Sequence, residues 1–236
     1  MFETLGIEGI PFGNNLVLSG PAGIGKSVFC KSLICESLNK GIGIIYVALD
    51  AAPKDIKNEV LERGLKKIEQ LGTCTFIDGY SWLLGQENEN YCLSNLCNIN
   101  DLSVLILKAM NETYGYRRII VFDSISTLFL YNSEADIERF IQNKMARIRQ
   151  SKSIGLWTVE EGIHAPSFYN SLRHLADGVV EMRFEEEYNL KRFIRIHTLR
   201  GLTHRTNWFP FTIRHKGKFE INLAEQSEEI PSYLTP

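Results

Sequence analysis

The run Gly20-Pro21-Ala22-Gly23-Ile24-Gly25-Lys26-Ser27 fits the pattern GxxxxGK[ST] and constrains this chain more than any other feature. An apolar strand, Asn15 to Ser19, precedes it, and a segment with helical spacing, Ser27 to Asn39, follows. Strand, glycine-rich turn and helix in that order make a nest of backbone N–H groups at a helix N-terminus. An anion fits there, with Lys26 reaching the β and γ phosphates and Ser27 holding Mg²⁺. Gly20, Gly23, Ile24, Gly25, Lys26, Ser27 and Val28 are therefore the candidate nucleotide-binding residues.

The rest of the chain supplies the layers such a loop needs. Gly43 to Leu49, Cys74 to Asp78, Arg118 to Asp123 and Ile154 to Val159 are further short apolar segments without strict alternation. That is what a parallel sheet covered on both faces requires. Helical spacing occupies Pro53 to Glu69, Leu102 to Glu112 and Asp136 to Arg149. In the last of these, Ile137, Phe140, Ile141, Met145 and Ile148 share a face, and Glu138, Arg139, Lys144 and Arg149 are expected to face water. After Asp177 the pattern turns to strands alone: Val179 to Phe184, Phe193 to Leu199, and two shorter ones around Phe211 and Phe219. The expectation is an α/β chain, a mostly parallel sheet flanked by helices and extended at one edge by C-terminal antiparallel strands. No linker or repeat interrupts residues 1–236, so one domain is expected.

With 44% hydrophobic and 23% charged residues, the 236-residue chain can bury a large core without disulfides. Its longest apolar stretch, Ile42 to Leu49, is far short of the ~20 residues of a membrane helix, so a cytoplasmic protein with no membrane span is expected. Five cysteines, without CxxC or Cys/His metal spacing, suit a reducing compartment and buried thiols. The second nucleotide element is Ile119-Ile120-Val121-Phe122-Asp123-Ser124, an apolar strand ending in a carboxylate. Asp123 is thereby a candidate for the metal-bound water, although an Asp ending a strand also serves as a turn residue.

On these residues the sequence resembles the RecA superfamily and, within it, the KaiC-like ATPases. The resemblance rests on Gly20 to Ser27; Tyr46-Val47-Ala48-Leu49-Asp50 with Pro53; Ile77-Asp78-Gly79-Tyr80-Ser81-Trp82; Val121 to Ser124; His174-Leu175-Ala176-Asp177-Gly178-Val179-Val180; and Arg200-Gly201 with His204. It covers about Phe2 to Ile221. It implies a RecA-like core that binds ATP and Mg²⁺ and assembles as a homo-oligomeric ring, a hexamer being one size, with ATP between subunits. Only Phe2 to Gly13 precede the first strand, where relatives have another strand.

Two departures from the family pattern bear on chemistry. Active members have two adjacent glutamates after the second strand, one of which activates water; here Asp50 and Ala51 stand there. Alanine cannot accept a proton. Asp50 is either a substitute base or a cap of the following loop, and Glu160, with Glu161 beside it, is a substitute base, a γ-phosphate sensor or an exposed acidic turn. The family's Lys-x-Arg-Gly-x-x-His, presented to the neighbouring subunit's γ-phosphate, is Thr198-Leu199-Arg200-Gly201-Leu202-Thr203-His204, without the lysine. Arg200 and His204 are thus candidate ATP contacts in trans, with Lys26, Asp50, Asp123 and Glu160 as candidate catalytic residues.

Between Lys191 and Lys218 lie eight Lys or Arg and no Asp or Glu, so that face is expected to be positive. Trp208, Phe209 and Phe211 are interleaved as stacking candidates for a nucleic acid, although the net charge of −2 does not favour general polyanion binding. The function expected is an ATP-binding regulatory or assembly protein with slow or absent hydrolysis, a nucleotide-controlled oligomer with a protein partner that the sequence does not name. A single-stranded-DNA-binding recombination accessory resembling archaeal RadA paralogues is the runner-up, alongside an active ATPase with a relocated carboxylate.

Overall fold

A computed structural model describes residues 10–65, 72–85, 90–113, 117–186 and 189–222. Among them the elements run β1 (Asn15–Gly20), α1 (Lys26–Asn39), β2 (Gly43–Ala48), α2 (Pro53–Glu62), β3 (Cys74–Asp78), α3 (Ile99–Glu112), β4 (Arg118–Asp123), α4 (Glu134–Gln150), β5 (Ile154–Glu160), α5 (Pro166–Leu175), β6 (Gly178–Glu186), β7 (Leu190–Leu199), β8 (Phe209–Ile213) and β9 (Phe219–Ile221). They build one sheet in the order β3-β2-β4-β5-β1-β6-β7-β8-β9. The pairings from β3 to β6 are parallel, and those from β6 to β9 antiparallel.

Each central strand is apolar on both sides because each side meets a separate core. Leu16, Tyr46 and Val121 point toward α1 and α2, packing with Phe29, Ile34 and Ile56. Val17, Val47 and Phe122 point the other way, toward Ile106, Ile141 and Phe168 of α3, α4 and α5. This sandwich explains the unalternating sequence of the strands. The register places Gly20 beside Glu160 and Ala48 beside Asp123, so the ends of β1, β2, β4 and β5 share one edge. In open α/β sheets, ligands bind outside these carboxyl ends.

Several expectations need correction. Helix α2 was expected to reach Glu69 but ends at Glu62, followed by Gly64 at φ +99°; residues 66–69 lie outside the described residues, as do Phe2 to Gly9. Helix α5 is an element the sequence reading did not include; it has Pro166 in its first turn and buries Phe168 and Leu172. Lys144 is buried rather than facing water, and Cys97 is an exposed thiol rather than a buried one. The His174–Val180 stretch has a structural basis: Asp177 accepts the Asn15 N–H at 2.8 Å and pairs with Arg149 of α4 at 3.1 Å, fixing the start of β1.

Candidate functional site

The loop after β1 is shaped by two glycines that no other residue could replace without strain. A Cβ on Gly20 would lie 2.8 Å from the carbonyl oxygen of Met182 on the neighbouring β6. Gly25 caps α1 in a left-handed conformation, φ +116°, and its missing Cβ would meet Ile213 Cδ1 at 2.7 Å. No side chain caps α1, and no acidic residue occupies its first turn. The N–H groups of that turn have no intrahelical acceptors, so the loop suits the phosphates of a nucleotide.

Lys26 is 6% exposed, and its Nζ donates to the carbonyls of Gly20 at 2.7 Å and Pro21 at 2.8 Å and to the Glu160 carboxylate. Glu160 stays partly open, with its side chain 27% exposed. Ser27, in the first turn of α1, directs its hydroxyl to Asp123 Oδ1 at 3.0 Å. The Thr158 hydroxyl lies 3.1 Å from the same oxygen, and the Tyr46 phenol donates to Oδ2. Burial, and then the Asp123 carboxylate, push the Tyr46 phenol well above its ordinary range, which keeps it a donor. A buried acid oriented by three hydroxyls, one of them Ser27, is the donor set a hard cation such as Mg²⁺ uses with phosphate oxygens.

Asp50 follows β2 in a bend rather than in the strand, so strand alternation does not set the direction of its neighbour Ala51. Its carboxylate accepts the Thr127 hydroxyl. Although the residue is exposed at the surface, partial desolvation of its carboxylate raises its pKa to about 6 against the opposing Thr127 hydrogen bond, and the Asp123 and Glu160 charges add to the rise. Ala51 packs its methyl on the α1–α2 core. An acid whose folded pKa exceeds its unfolded one binds its proton more tightly in the native state, so stability falls as pH rises from about 4 to about 6. Denaturant unfolding of Asp50→Asn should therefore show a gain over the unchanged chain at pH 7 that vanishes below pH 4. An equal gain at both pH values would show that Asp50 is not perturbed in this way.

Glu160 is held from behind by residues that the sequence did not single out. Its N–H donates to Ser126 Oγ at 2.9 Å, Tyr169 of α5 donates to its carbonyl, and His164 Nε2 lies 2.8 Å from the same Ser126 oxygen. Tyr46, Thr127 and Thr158 were missed as well, because hydroxyls inside apolar strands and turns carry no spacing signal.

Lys26, Ser27, Asp50, Asp123 and Glu160 thus converge, whereas Arg200 and His204 do not join them. Gly178 pairs with both Leu16 and Leu199, so β7 ends where β1 begins, at the opposite edge of the sheet from Gly20. Arg200 is exposed and donates to the His174 carbonyl at 2.7 Å; His204 Nδ1 lies 3.0 Å from the Leu202 carbonyl. The basic segment is less positive than its composition implies, because acids from outside it answer the charge. Arg195 pairs with the buried Glu181 at 2.7 Å, and Arg214 and Lys218 pair with Glu220. Phe209 and Phe211 are core residues, and Trp208 carries the guanidinium groups of Arg183 and Arg195 at 4.2 and 4.4 Å from its ring centroid. Phe209 and Phe211 are therefore not exposed as stacking platforms for bases.

The sheet order, the loop after β1 and the carboxylate ending β4 define a RecA-like nucleotide-binding α/β protein. The model of the KaiC ATPase family matches residues 1–226, and the chain belongs to that family. A UPF0273 protein of Thermotoga maritima is 28% identical over 220 residues, covering 89% of this chain and 88% of the relative. One from Pyrococcus furiosus is 26% identical over 215 residues, covering 89% and 86%. The crystal structure of a KaiC-like protein from Pyrococcus horikoshii OT3 superposes with a TM-score of 0.73 at 22% identity, covering 91% of this chain and 92% of that one, a likeness of fold. No helix among the described residues is long and apolar enough to cross a membrane.

Proposed function

We propose that this chain is an ATP-binding regulatory or assembly protein that hydrolyses its nucleotide slowly or not at all and whose association with copies of itself is controlled by that nucleotide. The observation that carries this is at the end of β2, where Ala51 turns a methyl onto the core and Asp50, the one carboxylate beside it, is engaged by Thr127. Bound Mg·ATP would supply the phosphoryl group and the metal's charge. Ser27 and Asp123 would hold the metal, and the loop 20–28 and Lys26 the phosphates. The Lys26 ammonium can serve either the Glu160 carboxylate or a phosphate oxygen, so Glu160 is placed to register which of them has it. Arg200 and His204 would act on the nucleotide of a neighbouring copy, since their own lies at the other edge of the sheet. One domain spanning residues 1–236, in the cytoplasm, is part of the same proposal.

A second reading has one observation in its favour. With a pKa of about 6, Asp50 would be a competent base near neutral pH if Thr127 released it. Native mass spectrometry with and without Mg·ATP, combined with single-turnover phosphate release, separates the two. The expected result is nucleotide-dependent assembly with ATP surviving in the complex. Release at rates normal for the family, lost in Asp50→Ala or Glu160→Ala, would establish the second reading instead.

A further inference from the structure

Lys144 is 5% exposed on α4, from which its side chain reaches α3. Its Nζ donates to the Ser103 carbonyl at 3.2 Å and lies 5.7 Å from the Phe140 ring centroid; among the described residues no carboxylate pairs with it. Burial, and then repulsion from Arg147, lower its ammonium pKa to about 8. Arg147 donates to the Gln150 side chain at 3.4 Å, and among the described residues no carboxylate pairs with it. Lys144 and Arg147 stand about one turn apart on α4, and a buried cation that no carboxylate pairs with among the described residues is relieved by an anion from outside.

Lys144, Arg147 and Arg139 line a cavity of 610 Å³ together with Asn98, Asn100 and Asn143. The one carboxylate on its wall, Asp136, is occupied by Arg139 and the Ser133 hydroxyl. None of the loop 20–28, Asp50, Asp123 or Glu160 lines it. We propose that this cavity is a second ligand site that binds a small phosphate ester, the phosphate on Lys144 and Arg147 and its hydroxyl-bearing body on the asparagine amides. Amides both donate and accept, which suits hydroxyls, and the paired cations suit the charged end. The size accommodates more than a bare ion.

The test is calorimetry of inorganic phosphate and of glycerol 3-phosphate with the full chain carrying Lys26→Ala, which silences the loop site. Saturable binding is expected, tighter for the ester, and weakened at least about tenfold by Lys144→Met and measurably by Arg147→Ala. Arg147 is exposed, so its variant folds and decides the matter even if the buried Lys144 substitution does not. No saturable binding, affinity unchanged by both substitutions, or an ester no tighter than phosphate would each overturn the proposal.

Discussion

ATP should no longer bind measurably to Lys26→Ala, while the folded structure persists. In the native chain Lys26 Nζ is fixed by the Gly20 and Pro21 carbonyls, which hold it over the loop rather than loose in solvent. A charged hydrogen bond is worth about 1.5–3 kcal/mol, and two lost phosphate contacts weaken binding by roughly 10²- to 10⁴-fold. The side chain belongs to neither apolar core, and the Glu160 carboxylate left behind is open enough to take water in its place. Nucleotide titration followed by calorimetry, with circular dichroism to verify the fold, reads both halves of the expectation. Micromolar affinity in the folded variant would remove Lys26 from the phosphate site.

Placing a carboxylate at residue 51 should accelerate phosphate release. Phosphoryl transfer needs held phosphates, a metal, compensating cations and an oriented water; on the proposed reading Lys26, Ser27 and Asp123 would serve the phosphates and metal and a neighbouring copy's Arg200 the charge, whereas Ala51 cannot supply the last. A positioned general base contributes about 10²- to 10⁴-fold, so Ala51→Glu should raise the single-turnover rate by at least roughly tenfold even in imperfect geometry. Ala51 is only partly buried, so a longer side chain can turn outward without opening the core. Ala51→Gln, of the same size but unable to take a proton, should stay slow. Equal acceleration by Gln and Glu would point to packing rather than base catalysis, and no change in either would move the search to Asp50 and Glu160.

Much of the architecture was legible because the parallel strands announce themselves. Cys74–Asp78 and Arg118–Asp123 have the limits their apolar runs imply, since polar or turn-forming residues bound each run. Helix α5 was hidden by its shortness: Phe168 and Leu172 are its only buried residues, too few to make a periodic pattern stand out. Lys144 misled for another reason. A helical pattern separates two faces but cannot show that a second helix, α3, covers the margin between them. In the site, the loop and Asp123 were readable because the chemistry demands glycines and a carboxylate at set spacings. The shell of Tyr46, Thr127, Ser126 and Thr158 was not, because hydroxyls become partners only when distant segments of chain meet.

The antiparallel turn from β6 into β7 has a geometric outcome for self-association. Because it returns the chain to the edge where β1 begins, the molecule carries Lys26 and Arg200 at unlike ends. In a ring, the contact that delivers Arg200 of one copy to Lys26 of the next is head-to-tail, leaving one unsatisfied end on each side until the series closes. A defect in Arg200 would spare the nucleotide of its own copy and cripple that of the copy next to it, so harm in such an assembly travels in one direction around it.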